Sequence, residues 1–186
     1  MRISDHRYSR DRFRLDLALR FMRHEARTHT IRKWTGLSDD RIRKLYRDYL
    51  EQSPGSMPIS RHRGKSPAQA CYFIRTPRVQ QEAAVLASLY CMLGALPAPA
   101  VAETDPPTPG VARGERLCQA FEAYLTFVHS AQISFEHAVL LINELGRGME
   151  IKVADCMLCG GLVVVDGLAY RDIRCSRCSE PSQLGC

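Results

Sequence analysis

Four cysteines near the C-terminal end constrain this chain more than any other feature. They read Cys156-Met-Leu-Cys159, fifteen intervening residues, then Cys175-Ser-Arg-Cys178. A C-x2-C-x15-C-x2-C spacing is that of a tetrahedral zinc site. Each C-x2-C pair makes a tight knuckle that sets two thiolates on one side of a metal about 2.3 Å away. Gly160 and Gly161 follow the first knuckle, where the backbone turns back on itself and glycine does so at least cost. Between the pairs, residues 162–165, Asp166-Gly167 and residues 168–173 read as strand, turn and strand. Asp-Gly between two apolar runs is a strong hairpin signal. The expectation is a zinc ribbon. Four cysteine ligands fill the tetrahedron, so one structural zinc per chain is expected.

Disulfides are the rival use of these thiols. The N-terminus, Met1-Arg-Ile-Ser-Asp-His-Arg7, has no apolar secretory core. The expectation is therefore a cytoplasmic protein, in a reducing compartment where disulfides rarely persist. No run of roughly eighteen apolar residues occurs, so no membrane span is expected. Lys152, Arg171, Arg174 and Arg177 lie near enough in sequence to offset the charge of four thiolates around a dication. Cys71, Cys91 and Cys118 sit among apolar neighbours and read as small core residues. Cys186 reads as a terminal thiol.

Charge is unevenly placed. Residues 1–65 hold 17 Lys/Arg against 8 Asp/Glu, a balance of +9, in a chain whose net charge is +6. A basic N-terminal third points to a polyanionic partner at that end, with a solvated helix surface as the plainer account. The expected division is a basic N-terminal region (1–65), a helical core (66–150) with a Pro-rich loop (96–110), and the ribbon with a short tail (151–186).

Residues 12–29 place Phe13, Leu15, Leu17, Ala18, Phe21 and Met22 on one side of an amphipathic helix. Next comes a short helix with Ile31 inward, a break at Gly36, Leu37 inward, and Ser38 as N-cap of a second helix. Asp39 and Asp40 occupy its first turn, and Ile42 and Leu45 its buried side. Such a pattern is that of a helix-turn-helix. Arg32 and Thr35 fit it poorly, being larger or more polar than such positions usually hold. The outward positions of the second helix are Asp40, Arg43, Lys44 and Arg47, three of them basic, as a helix lying in a major groove requires. Arg41, Arg61, Arg63 and Lys65 are expected to contact phosphate.

Further along, Tyr72-Phe73 return a loop to the core, and Thr76-Pro77 start a very apolar helix over 77–93. Helices follow over 117–129 and, capped by Ser134, over 135–145. The helices 77–93 and 135–145 are so apolar that part of their surface is expected to meet a partner. No catalytic set or phosphate-binding glycine loop is recognisable, and the chain does not read as an enzyme.

Together these residues resemble the FlhC family, a subunit of the bacterial flagellar master transcriptional activator. The resemblance lies in Leu37-Ser38, Arg41-Ile42-x-Lys44-Leu45-Tyr46-Arg47, Ser53-Pro54 and Met57-Pro58-x-Ser60. It resumes in Cys156-x2-Cys159-Gly160-Gly161 and Cys175-Ser176-x-Cys178-x2-Pro181-Ser182. It implies zinc on the four cysteines, hetero-oligomer formation with a helical FlhD-like protein, and recruitment of RNA polymerase to promoter DNA of motility genes. The family carries more proline and a tryptophan where this chain has Arg61-His-Arg63 and Tyr72-Phe73, and it ends in a longer basic tail. The expectation is a mainly α protein with a helix-turn-helix-like segment and a C-terminal four-cysteine ribbon, acting as a DNA-binding activator subunit. A zinc-ribbon adaptor that binds only protein is the rival.

Overall fold

The computed structural model describes residues 2–52, 62, 64–96 and 108–179, with side chains described from residue 8 and not for 49–52. The protein is mainly helical, with seven α-helices among the described residues and a two-stranded antiparallel hairpin near the C-terminus. None of the helices is long and apolar enough to cross a membrane. The chain forms two compact units, Met1–Ser66 with Thr108–Cys118, and Pro67–Pro107 with Gln119–Cys186.

In the first unit, α1 (Arg2–Arg23), α2 (Thr28–Thr35) and α3 (Asp39–Gln52) pack on one another. Leu17, Ala18, Phe21 and Met22 of α1 are buried together with Ile31, Trp34, Leu37, Ile42 and Tyr46. Phe13, read as part of the buried stripe, is 60% exposed. The single helix read over 12–29 is also two. Glu25 adopts a left-handed backbone (φ 58°), and Ala26 N–H and Glu25 N–H close back on Phe21 and Met22 carbonyls, stopping α1 before α2 begins. This glutamate carries no glycine-like signal, so the break is invisible to periodicity.

Gly36 (φ 70°) does end α2, its N–H bonding to the Arg32 carbonyl. Ser38 caps α3, its Oγ accepting from Arg41 N–H at 3.4 Å. The two poorly fitting residues both have work at this turn. Thr35 Oγ1 donates to the Ile31 carbonyl at 2.7 Å and accepts from Leu37 N–H at 3.2 Å, so its buried hydroxyl is satisfied. Arg32 reaches Asp39 at 3.5 Å, linking α2 to α3. Residues 111–118, the start of α5 (Val111–Phe127), complete this unit. Gly114 lies so close to Leu17 that a Cβ there would come within 2.6 Å of its side chain, and Arg113 sits over the Trp34 ring.

The second unit contains a 3₁₀ turn, η1 (Ala70–Ile74), then α4 (Pro77–Met92), residues 119–127 of α5, α6 (Phe135–Arg147), the hairpin and a last short helix, α7 (Ser176–Ser179). Thr76 caps α4 by accepting from Val79 N–H, and Ser134 caps α6 by accepting from His137 N–H, as their sequence implies. Val79, Ala83, Leu86, Ala87 and Tyr90 of α4 are buried, against η1, α6 and the hairpin. The apolar surface of α4 and α6 is thus largely covered within this unit; Val85 and Met92 of α4 and its C-cap Leu93 remain exposed. Buried Glu82 accepts from Tyr124 OH at 2.5 Å, Gln132 N–H at 2.8 Å and Arg78 Nε at 3.1 Å, pinning the segment between α5 and α6 to α4. Most of the Pro-rich stretch, residues 97–107, and residues 180–186 with Cys186 lie outside the described residues.

Candidate metal centre and basic helix face

The hairpin pairs β1 (Ile151–Asp155) with β2 (Leu162–Asp166), Val153 opposite Val164 and Asp155 opposite Leu162. The first cysteine knuckle is therefore the hairpin's own loop, and the expectation of a second strand over 168–173 is corrected. Two observations explain the shift. Gly167 passes so close to the Met149 carbonyl that a Cβ would lie 2.0 Å from its oxygen, and its N–H bonds to the Glu150 carbonyl, so the Asp-Gly turn closes onto the start of β1. Asp166 Oδ1 then accepts from Leu168 N–H at 2.8 Å in a local turn that leads the chain away from the ladder. Leu168 and Tyr170 consequently bury almost nothing.

The strand β2 is buried on both faces: Val163 and Val165 pack with Cys156, while Val164 is wholly buried and its carbonyl accepts from Gln80 Nε2 of α4 at 2.9 Å. That anchorage fixes the knuckle loop. Cys156 N–H bonds to the Gly161 carbonyl and Gly160 N–H (φ 68°) to the Cys156 carbonyl, folding Cys159 back toward Cys156. The second knuckle arrives from the far side, where Met157 N–H bonds to the Ile173 carbonyl and Cys178 N–H to the Cys175 carbonyl. Ala169 and Ile173 pack against the cluster of Cys156, Val163 and Val165, a role their sequence neighbourhood did not reveal.

The result is a cluster of Cys156, Cys159, Cys175 and Cys178 whose sulfurs all lie within 4.8 Å of one another, a set that can hold a metal ion. Cys175 N–H donates to Cys156 Sγ at 3.3 Å. That N–H, with those of Cys159 and Leu158, lowers the Cys156 thiol to about 6. Cys178 is pushed up to about 12 by hydrogen bonding to the sulfurs of Cys175 and Cys159. One thiolate is welcomed and the next is resisted, the situation that a dication among the sulfurs relieves. Of the other cysteines, Cys118 is buried as expected, Cys91 is half-buried, and Cys71 is exposed rather than in the core.

The other sequence-read site lies in the first unit. The inner face of α3 holds Ile42 and Tyr46, whose OH donates to the Ala26 carbonyl at 3.2 Å. Outward, Asp40, Arg43, Lys44 and Arg47 are brought together along one exposed stripe. Arg43 is ion-paired with Asp40 at 2.9 Å, a one-turn spacing that the sequence displays. Arg41 points instead to Asp11 of α1 at 3.7 Å, a link across thirty residues that no local pattern signals. Lys65 is exposed, its carbonyl accepting from Arg27. Arg61 and Arg63 lie outside the described residues.

No family model matches the chain, and no curated protein matches it.

Proposed function

We propose that this protein is a DNA-binding transcriptional activator subunit, FlhC-like, that reads promoter DNA with α3 and carries one structural zinc on Cys156, Cys159, Cys175 and Cys178. The observation that carries the reading is the division of α3 into a packed inner face and an outer stripe of Arg43, Lys44 and Arg47, following a capped three-residue turn after α2. A helix so presented fits a major groove, and the +9 balance of residues 1–65 suits a phosphate backbone. Lys65, with Arg61 and Arg63, adds phosphate contacts, whereas Arg41 serves chiefly to tie α3 to α1.

Zinc is the metal best suited to four thiolates in a small tetrahedral site. With all four positions taken by protein, it braces the ribbon rather than activating water, and the protein is not an enzyme. The resemblance adds an FlhD-like helical partner, RNA polymerase and motility promoters. Fluorescence anisotropy on promoter duplexes across a salt series tests the reading. The expected result is a Kd that rises steeply with salt through counterion release. Affinity that is absent, or indifferent to salt, overturns it in favour of a protein-only adaptor.

A further inference from the structure

A carboxylate leading a helix into a groove lined by phosphates is repelled unless it has a task there. Asp39 already supplies the favourable first-turn charge and pairs with Arg32. Asp40 does neither of these things uniquely, and its side chain is 90% exposed on the same stripe as Arg43, Lys44 and Arg47. What it does is hold Arg43: Oδ1 accepts from Nη1 at 2.9 Å, one turn along the helix. A long side chain held at Nη1 by an exposed pair is biased toward one set of rotamers before any ligand arrives. Its Nε and Nη2 edge still offers two parallel N–H donors, the fork that fits guanine O6 and N7.

We infer that Asp40 is a positioning residue for Arg43, and that the pair reads one G·C base pair while Lys44 and Arg47 contact phosphate. The inference rests on the DNA-binding reading above and narrows it to a base preference. Two consequences separate positioning from simple neutralisation. Freed from Asp40, Arg43 still carries its charge and can contact phosphate, so binding to arbitrary DNA holds or strengthens. Without the tether the fork is no longer presented at a fixed angle, so discrimination at one base pair falls.

The experiment is selection of bound duplexes by the full chain from a library with a randomised central window. Anisotropy titrations then follow on the selected duplex, on the same duplex with its G·C pair exchanged, and on an unrelated duplex. For the parent, exchange of that pair is expected to cost on the order of tenfold in Kd. Asp40→Ala and Arg43→Ala should both abolish that discrimination. Asp40→Ala should keep or raise affinity for the unrelated duplex and steepen its salt slope by up to about one. Asp40→Glu, which also reaches one turn along a helix, should restore discrimination. If Asp40→Ala keeps the preference that Arg43→Ala loses, or weakens all three duplexes alike, the positioning role is overturned while DNA binding stands. If the parent selects no duplex and binds none in a salt-dependent way, the DNA reading fails and carries this inference down with it.

Discussion

The buried carboxylate of Glu82 is the sharpest handle on the stability of the second unit. The residue is 4% exposed, and its carboxylate receives Tyr124 OH, Gln132 N–H, Ile133 N–H (3.4 Å) and Arg78 Nε. Replacement by Leu leaves the tyrosine hydroxyl and the Gln132 N–H without an acceptor. A stranded buried donor costs about 1–3 kcal/mol, and the part-buried Gln132 N–H costs less than the tyrosine hydroxyl. Arg78 adds little, since it is half exposed and also donates to the His129 and Ser130 carbonyls. The expected loss for Glu82→Leu is therefore roughly 2–5 kcal/mol, and for Glu82→Gln, which retains a carbonyl oxygen, about 1–2 kcal/mol. The pH dependence has a definite sign. Burial raises the carboxyl's pKa, but hydrogen bonds from Tyr124, Gln132, Arg78 and Ile133 outweigh it, leaving the pKa below its ordinary value of 4.5. A depressed carboxylate contributes stability above its unfolded pKa and loses it as pH falls through the folded one. The advantage of the parent over Glu82→Gln should accordingly be full near neutrality and shrink below pH 4.5. Because the single Trp, Trp34, lies in the first unit, fluorescence would report the wrong half. Amide exchange at Gln132 and Ile133 through a denaturant series is the appropriate assay. Parent-like protection of those two amides in Glu82→Leu, or a Gln-parent difference that grows with acid, would refute the reasoning.

The remaining predictions are briefer. Protein purified without chelator should carry one zinc per chain by metal analysis, and Cys175→Ser should lose it together with hairpin exchange protection. Structural zinc in small modules contributes about 10–16 kcal/mol, more than a hairpin of two five-residue strands supplies alone. Gly167→Ala, whose Cβ would meet the Met149 carbonyl oxygen at 2.0 Å, should destabilise the hairpin by about 2–4 kcal/mol, read as a lower unfolding midpoint. Arg47→Ala should weaken binding to all duplexes alike and reduce the salt slope by about one in anisotropy titrations.

What the sequence made legible was whatever a short spacing encodes. The two C-x2-C knuckles, the caps at Ser38, Thr76 and Ser134, the Gly36 turn and the outward stripe of α3 all rest on contacts within a few residues. What escaped depends on partners far along the chain. Asp166-Gly167 announces a turn truthfully, but its direction is decided by the Met149 carbonyl against which Gly167 packs. β1 was hard to see because only Ile151 in it is fully buried, so its alternation is faint. The contribution of residues 111–118 to the first unit was hidden behind the Pro-rich stretch, although Gly114 within α5 is costly for helix formation and signals a close approach.

Glu82 shows the same limit from the opposite side. In the run Gln80-Gln81-Glu82 all three residues are polar, yet only Gln81 is exposed. Gln80 reaches a β2 carbonyl and Glu82 collects the donors between α5 and α6. Two polar residues thus hold opposite neighbours of α4, the ribbon strand and the α5–α6 connection. A helix of this apolarity could slide along an apolar groove at little cost in buried area. Directional hydrogen bonds at Gln80 and Glu82 select one register, and the register of α4 sets the position of Val164 and hence of the knuckle loop that leads into its strand. The cysteine cluster is assembled by its spacing, and it is aimed by α4.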